Sequence, residues 1–234
     1  MKAVFKRDFR AYFSSPLGYV FIAAFLLVMN IYFYIYNVYA ASSAIENVFG
    51  FMTTMMIFLI PILTMRTFSE DYKQKTDQLL LTAPVRLTGV VMGKFLSALV
   101  VFLIGLVFTL IYVVVVKAFG NSSGAIIVGN YVAIICVASA YIAIGVFISS
   151  LTQSQLVAAI ATIGVFLGLY LFDYAYSIVN NTIAKMLIYY FSMFRRYNTF
   201  TQGIFSFADV IFYLSVAGIF VFLTVRVLEK KRWS

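Results

Sequence analysis

LGYVFIAAFLLVMNIYFYIYNVY, residues Leu17–Tyr39, runs for 23 residues without one Asp, Glu, Lys or Arg. A helix rises about 1.5 Å per residue and the hydrocarbon core of a bilayer is about 30 Å thick, so about 20 apolar residues cross it. A basic start precedes the run, and Val38-Tyr39-Ala40 could pass for a cleavage site. The apolar region of a signal peptide, however, is only about 7–15 residues long. Leu17–Tyr39 therefore reads as a retained membrane-spanning helix.

Working outward, five more runs have the same character: Phe51–Phe68, Gly93–Val116, Ile127–Ser149, Leu156–Phe172 and Val210–Leu228. At membrane depth every backbone amide must be paired, and within one isolated segment only a helix does this. A membrane β-barrel would alternate apolar and polar residues over segments of about ten, and these runs do not alternate. The composition agrees. The chain has 234 residues, 64% hydrophobic and 11% charged, against roughly 25% charged in a soluble domain. The expected fold is an all-α integral membrane protein, one domain over residues 1–234, built as a six-transmembrane-helix bundle. With no histidine and one cysteine, Cys136, no metal cluster or internal disulfide is expected. Cys136 reads as a small packing residue.

The net charge of +9 would suggest nucleic acid in a soluble protein, but here the placement of the cations decides. Lys2, Lys6, Arg7 and Arg10 precede the first span. Arg66, Lys73, Lys75, Arg86 and Lys94 lie between the second and third, and Arg226, Lys230, Lys231 and Arg232 end the chain. Only Lys117, Lys185, Arg195 and Arg196 fall to the other side. Cytoplasmic loops carry the excess of Lys and Arg, which predicts six spans with both termini cytoplasmic.

Before the first span, residues 1–15 read as an amphipathic interfacial helix. Phe5, Phe9 and Phe13 recur every four residues beside a basic stripe of Lys2, Lys6 and Arg10, a pattern suited to the headgroup layer of a bilayer. Ser14-Ser15-Pro16 ends it. Residues 173–209 form a long, amphiphilic external stretch whose apolar core, Met186–Phe194, is too short to cross. Re-entrant or capping helices at the outer mouth, or a seventh half-span, would fit.

Chemistry-bearing residues are scarce. No ionisable group lies well inside a predicted span, which argues against a proton relay or voltage sensor. Asn30 is the clearest polar residue at depth and reads as an interhelical hydrogen-bonding group. Gly89-Val90-Val91-Met92-Gly93-Lys94-Phe95 imitates a phosphate-binding loop, but it is one residue short and lacks the Ser or Thr after Lys. The informative stretch is cytoplasmic, residues 69–90. It begins polar with Glu70 and Asp71 and passes Thr76, Asp77 and the leucines Leu79, Leu80 and Leu81 before Pro84. Thr76 is placed to cap a short helix with Asp77 in its first turn. A short helix with a leucine patch, held between two spans, suits docking into a groove of another protein. A plain connecting loop is the alternative.

This sequence resembles ABC-2 type transporter permeases, specifically the gliding-motility-type (GldF-like) branch. The likeness runs nearly end to end. It rests on KRDFRAYFSSPLGYV (Lys6–Val20), PILTMRTFSEDYKQKTDQLLLTAPV (Pro61–Val85), Gly93-Lys94-Phe95, SSLTQSQ (Ser149–Gln155) and TFTQGIFSFADVIFYLS (Thr199–Ser215). The second segment is the most specific. It resembles the family pattern of two acids, then Gly-Thr, a Leu pair and Pro, with Lys75 standing where the Gly is usual.

The resemblance implies an exporter. Two permeases, identical or related, would join two ABC ATPase subunits that hold ATP and Mg, with no cofactor on this chain. The stretch Thr76–Leu81 would be the coupling helix, residues 1–15 the connecting helix, and 173–209 the outer gate. An accessory extracytoplasmic subunit is a further partner the resemblance allows; nucleic acid is not. The setting it implies is a bacterial cytoplasmic membrane. Gly164-x-x-x-Gly168 is a small-residue packing motif, and in related permeases the fifth span lies near the permease–permease interface. Packing within the subunit is the alternative use. Pro61 is expected to kink the second span, and with Met52, Met55, Met56 and Met65 to leave that helix adaptable as a gate; plain core packing is the alternative. Two other classes stay open on the residues alone: a non-transporting scaffold or immunity-type protein, and an uncoupled channel or secondary carrier.

Overall fold

The structure, a computed structural model, describes residues 1–42, 44–76, 86–119, 124–179, 181–201 and 206–233. Every regular element among them is helical. In chain order they are α1 (Lys2–Ser14), α2 (Leu17–Phe33, continued by a π-helix, Tyr34–Tyr39), α3 (Glu46–Thr64), α4 (Ser69–Lys73) and α5 (Leu87–Phe108). They continue with α6 (Leu110–Phe119), α7 (Gly124–Leu151), α8 (Gln155–Ile178), α9 (Thr182–Phe191), α10 (Met193–Thr201) and α11 (Phe207–Trp233). Six helical stretches are long and apolar enough to cross a membrane: Leu17–Tyr39, Glu46–Lys73, Leu87–Ala118, Ile126–Leu151, Gln155–Ile178 and Phe207–Arg232. They include all six runs read from the sequence, and most extend past them at both ends.

α7 is the axis of the bundle. Its most apolar window is 78% buried, against 17% for α8 and 22% for α11. Small side chains at Ala133, Ala138, Ala140 and Ala143 are buried along it and let neighbouring backbones approach. Gly145 marks the closest approach, where an added Cβ would lie 2.8 Å from Cβ of Thr64 at the end of α3. α8 and α11, mostly uncovered, form the outside.

Both asparagines of the first span make side-chain hydrogen bonds. The Tyr112 hydroxyl donates to Asn30 Oδ1 at 2.7 Å, the interhelical bond expected of Asn30. Asn37, fully buried in the π-helix, donates to the carbonyls of Ser42 and Ala44 at 3.1 and 3.3 Å. It thereby closes the turn in which Ala41 takes φ +48°. Pro61 is buried within α3, and the helix continues past it to Thr64.

At the end of the bundle away from the termini, the apolar run Met186–Phe194 is divided between α9 and α10, of ten and nine residues. Ser192 causes the break. Its Oγ accepts from the Arg195 backbone N–H at 3.1 Å, capping α10, and donates to Asp173 of α8 at 2.6 Å. Met193, Phe194, Tyr197 and Phe200 then bury one face of α10. Asp173 also binds Arg195 (3.1 Å), Asp209 binds Arg196 (2.7 Å), and Asn130 of α7 accepts from the Tyr197 hydroxyl (3.2 Å). The short helix is thus tied to three long ones.

α4 ends in a Schellman turn. The Thr76 N–H reaches the Asp71 carbonyl at 3.0 Å and the Lys75 N–H reaches that of Tyr72 at 3.2 Å. This turn requires a left-handed residue, and Lys75 supplies it with φ +57°. The position is the one where the resembled family usually carries glycine, and the backbone shows why. We expect Lys75→Gly to raise stability by about 0.5–1 kcal/mol, since the Cβ penalty outweighs the entropy that glycine loses on folding. A higher melting temperature in detergent is the check.

Candidate functional site

At the end of the bundle that carries both termini, α1, the end of α3, α4 and the start of α5 enclose a polar junction. Lys94 is its centre. The sequence places it near the start of a span, but α5 begins at Leu87, so Lys94 stands two turns inside the helix. Its side chain is only 3% exposed. A lone buried ammonium is untenable, and three groups answer it. Nζ lies 2.6 Å from Asp71 Oδ2 and 3.2 Å from Asp8 Oδ2, and it donates to the Thr67 carbonyl. The Phe68 ring lies beneath, 4.9 Å away. One cation thereby joins four elements: its own helix, α1 through Asp8, the turn after α3 through Thr67, and α4 through Asp71.

Arg7 completes the charge pattern. Its Nε is 2.7 Å from Asp8 Oδ1, and its Nη2 is 3.4 Å from Asp71 Oδ2. Burial works against the guanidinium charge, but Asp8 and Asp71 outweigh it and raise the Arg7 pKa. One helical turn away, Arg66 pairs with Glu70, which also accepts from Gln74 at 2.9 Å. These residues, with Ala11, Tyr12, Thr67 and Thr76, line an open cavity of about 330 Å³.

Two further ties hold α4. Ser149, near the end of α7, accepts from the backbone N–H groups of Phe68 (3.1 Å) and Ser69 (3.3 Å) and donates to the Met65 carbonyl (3.1 Å). Lys231, near the end of α11, lies 3.6 Å from the centroid of the Tyr72 ring and donates to the Ser150 carbonyl at 3.0 Å. α1 is fixed in turn by the Tyr12 hydroxyl, which donates to the Leu63 carbonyl at 2.9 Å. It also lies close on α5, where Gly93 leaves only 3.1 Å between a hypothetical Cβ and the Phe5 nitrogen.

Asp71 has a second partner, and this gives the junction a direction. The Thr76 hydroxyl donates to Asp71 Oδ1 at 3.0 Å, so one carboxylate holds Lys94 with one oxygen and Thr76 with the other. The chain leaves this turn at Thr76 as the stretch 77–85. Asp71 therefore links the residue at which that stretch begins to Lys94 of α5, and Lys94 in turn meets Asp8 of α1. The junction contains no nucleophile–base pair, and among the described residues no group of His, Cys, Asp and Glu could hold a metal ion.

Of the residues singled out in the sequence, Glu70, Asp71 and Thr76 meet here. Asp77, Leu79, Leu80, Leu81 and Pro84 lie outside the described residues. On α1, Phe5, Phe9 and Phe13 form one half-buried face while Lys6 and Arg10 are exposed. Gly164 and Gly168 face outward on α8 with nothing within 4 Å of an added Cβ, so no neighbour among the described residues uses the motif. Pro61 is not part of the junction. Asp8, Lys94, Ser149 and Lys231 were not singled out as junction residues. The only signal for Asp8 was its being the sole acid in a basic segment.

Residues 2–229 match the family described as ABC-2 family transporter protein. Comparison with curated proteins and with solved structures gave no match.

Proposed function

The chain belongs to the ABC-2 family of transporter proteins, and from that premise we propose that it is the membrane half of an ATP-driven exporter of the gliding-motility-type branch. Membership makes it a multi-pass membrane permease subunit, not itself an ATPase, of a family that works with ABC ATPase partners. In our reading two ATPase subunits, holding ATP and Mg, grip the stretch that begins at Thr76. Their closure pulls on Asp71, and the Asp71–Lys94–Asp8 junction passes the pull to α5 and α1. The observation that carries this reading is the pair of contacts made by Asp71, a hydrogen bond accepted from Thr76 on one side and an ion pair with buried Lys94 on the other.

The rest follows from the same premise. Both termini and residues 69–90 face the cytoplasm of a bacterial cell, in keeping with the excess of Lys and Arg there. α1 lies at the cytoplasmic membrane surface. A second permease, identical or related, packs on α8, where Gly164 and Gly168 leave a shallow open face. α9 and α10 cap the outer mouth.

Affinity purification in mild detergent tests the proposal. An ATPase should accompany the chain in about equal amount, and Leu79→Asp with Leu80→Asp should reduce its recovery at least tenfold while the chain itself stays monodisperse. Each buried aspartate would bring a charge into an apolar groove. Recovery of the ATPase undiminished by these changes would remove residues 77–85 from the docking surface. A preparation with no nucleotide-binding partner would favour a scaffold or channel.

A further inference from the structure

The face of α1 opposite the protein has its own organisation. Successive residues of a helix step by about 100°, so residues four apart form stripes. Val4, Asp8 and Tyr12 form the stripe turned to α3 and α5. Tyr12 is buried, and Val4 and Asp8 are partly so. One step round lie Phe5, Phe9 and Phe13, the first two rings stacked at 5.9 Å between centroids and the last two tilted at 5.1 Å. The ladder does not stop at the end of the helix. Phe13 meets Tyr19, in the first turn of α2, edge-on at 5.4 Å. Tyr19 is 61% exposed, on the same uncovered side of α2 as Val20. A further step round α1 are Lys6 and Arg10, with Lys2 one turn earlier, all exposed.

The charges at this end do not balance within the chain. Among the described residues the carboxylates here are Asp8, Glu70, Asp71 and Glu229, and each is already held: Asp8 and Asp71 by Arg7 and Lys94, Glu70 by Arg66, and Glu229 by Arg226. Lys2, Lys6 and Arg10 have no ion-pair partner among the described residues. Three unanswered cations border a ring ladder that is continuous with the apolar side of a spanning helix. That arrangement matches the boundary of a leaflet, with rings among acyl chains and cations at headgroup level.

We propose that the Lys2–Lys6–Arg10 stripe is a binding site for acidic phospholipid of the inner leaflet, and that occupation of it holds α1 in place against α5. It rests on the reading above that α1 lies at the cytoplasmic membrane surface, and extends that reading from a location to a lipid class. The consequence is regulatory: Asp8 rides on the same helix, so lipid on one face steadies the Lys94 junction on the other.

Native mass spectrometry of the full chain tests this, with the protein extracted into mixed micelles holding equal amounts of a phosphatidylglycerol and a phosphatidylcholine of the same acyl chains. A basic residue near an acidic surface strengthens binding by about fivefold. The wild-type chain should therefore retain phosphatidylglycerol over phosphatidylcholine by about tenfold or more, less at high salt. Lys2→Gln, Lys6→Gln and Arg10→Gln together should bring the ratio close to one, and Arg10→Gln alone to an intermediate value should the triple variant fold poorly. Lys117→Gln, at the opposite end, should change nothing. A wild-type ratio near one, or a preference that survives the triple substitution, overturns the site. So does a triple variant that sheds the ATPase but keeps its lipid preference, because the stripe would then face a protein. Absence of an ATPase together with an intact, stripe-dependent preference would refute the coupling proposal and leave the lipid site standing.

Discussion

Lys94→Met is expected to cost about 3–5 kcal/mol of stability, the usual penalty for removing one partner of a buried ion pair. Among the described residues, Lys94 is the only cation in contact with both Asp8 and Asp71 that is itself buried. Without it the two carboxylates face each other across the junction with only half-exposed Arg7 between them. The melting temperature in detergent should fall, and the chain should lose its sharp elution in size-exclusion chromatography. Lys94→Arg should not fully rescue it, since the larger, rigid guanidinium must fit a site in which the ammonium side chain is only 3% exposed. The informative variant is triple: Lys94→Met with Asp8→Asn and Asp71→Asn. Removing all three charges removes the unpaired remainder, so most of the stability should return. Coupling should not return, because the bond from Asp71 to Lys94 would be gone. A triple variant that folds and still exports would show that the junction is structural and that force passes elsewhere.

The parts of the molecule that were legible in the sequence are those set by one-dimensional patterns. Spans are long apolar runs, and all six appear as helices. Asn30 was readable because an amide in the middle of a 23-residue apolar run has few uses, and it bonds to Tyr112. Helix ends were read short because a charged or polar residue was taken to end a run. In fact α5 begins at Leu87 and carries Lys94 inward. That misplacement hid the junction, since a cation at a span end needs no partner and a buried one needs two. Asp8 was hidden for a related reason: its partner lies 86 positions away, and no local periodicity announces it. The glycine motif of α8 was legible as a motif, but which surface it serves depends on what lies beside it, and among the described residues nothing does.

Gly145 carried no signal at all in the sequence, and the second large effect is expected there. A Cβ at this position would lie 2.8 Å from the Thr64 Cβ, with the hydroxyl of Thr64 nearer still. Contacts under 3.0 Å force one helix to move. Both flanking helices are buried, so the space cannot be recovered by turning a side chain outward. Gly145→Ala should cost about 1–3 kcal/mol and Gly145→Val more. The consequence extends beyond stability. Ser149 lies four residues on, on the same face of α7, and holds Met65, Phe68 and Ser69. Prising α3 from α7 at Gly145 would draw that hydroxyl away and release α4 from the bundle, so ATPase activity in the complex should lose its dependence on the permease. Thr64→Gly in the Gly145→Ala background restores the space from the other side, at a helix cost of about 1 kcal/mol. It should recover both the melting temperature and the coupling. Recovery of stability without coupling would mean that the Ser149 clasp needs Thr64 itself. Failure to recover either would mean that α3 and α7 are not held at the distance seen here.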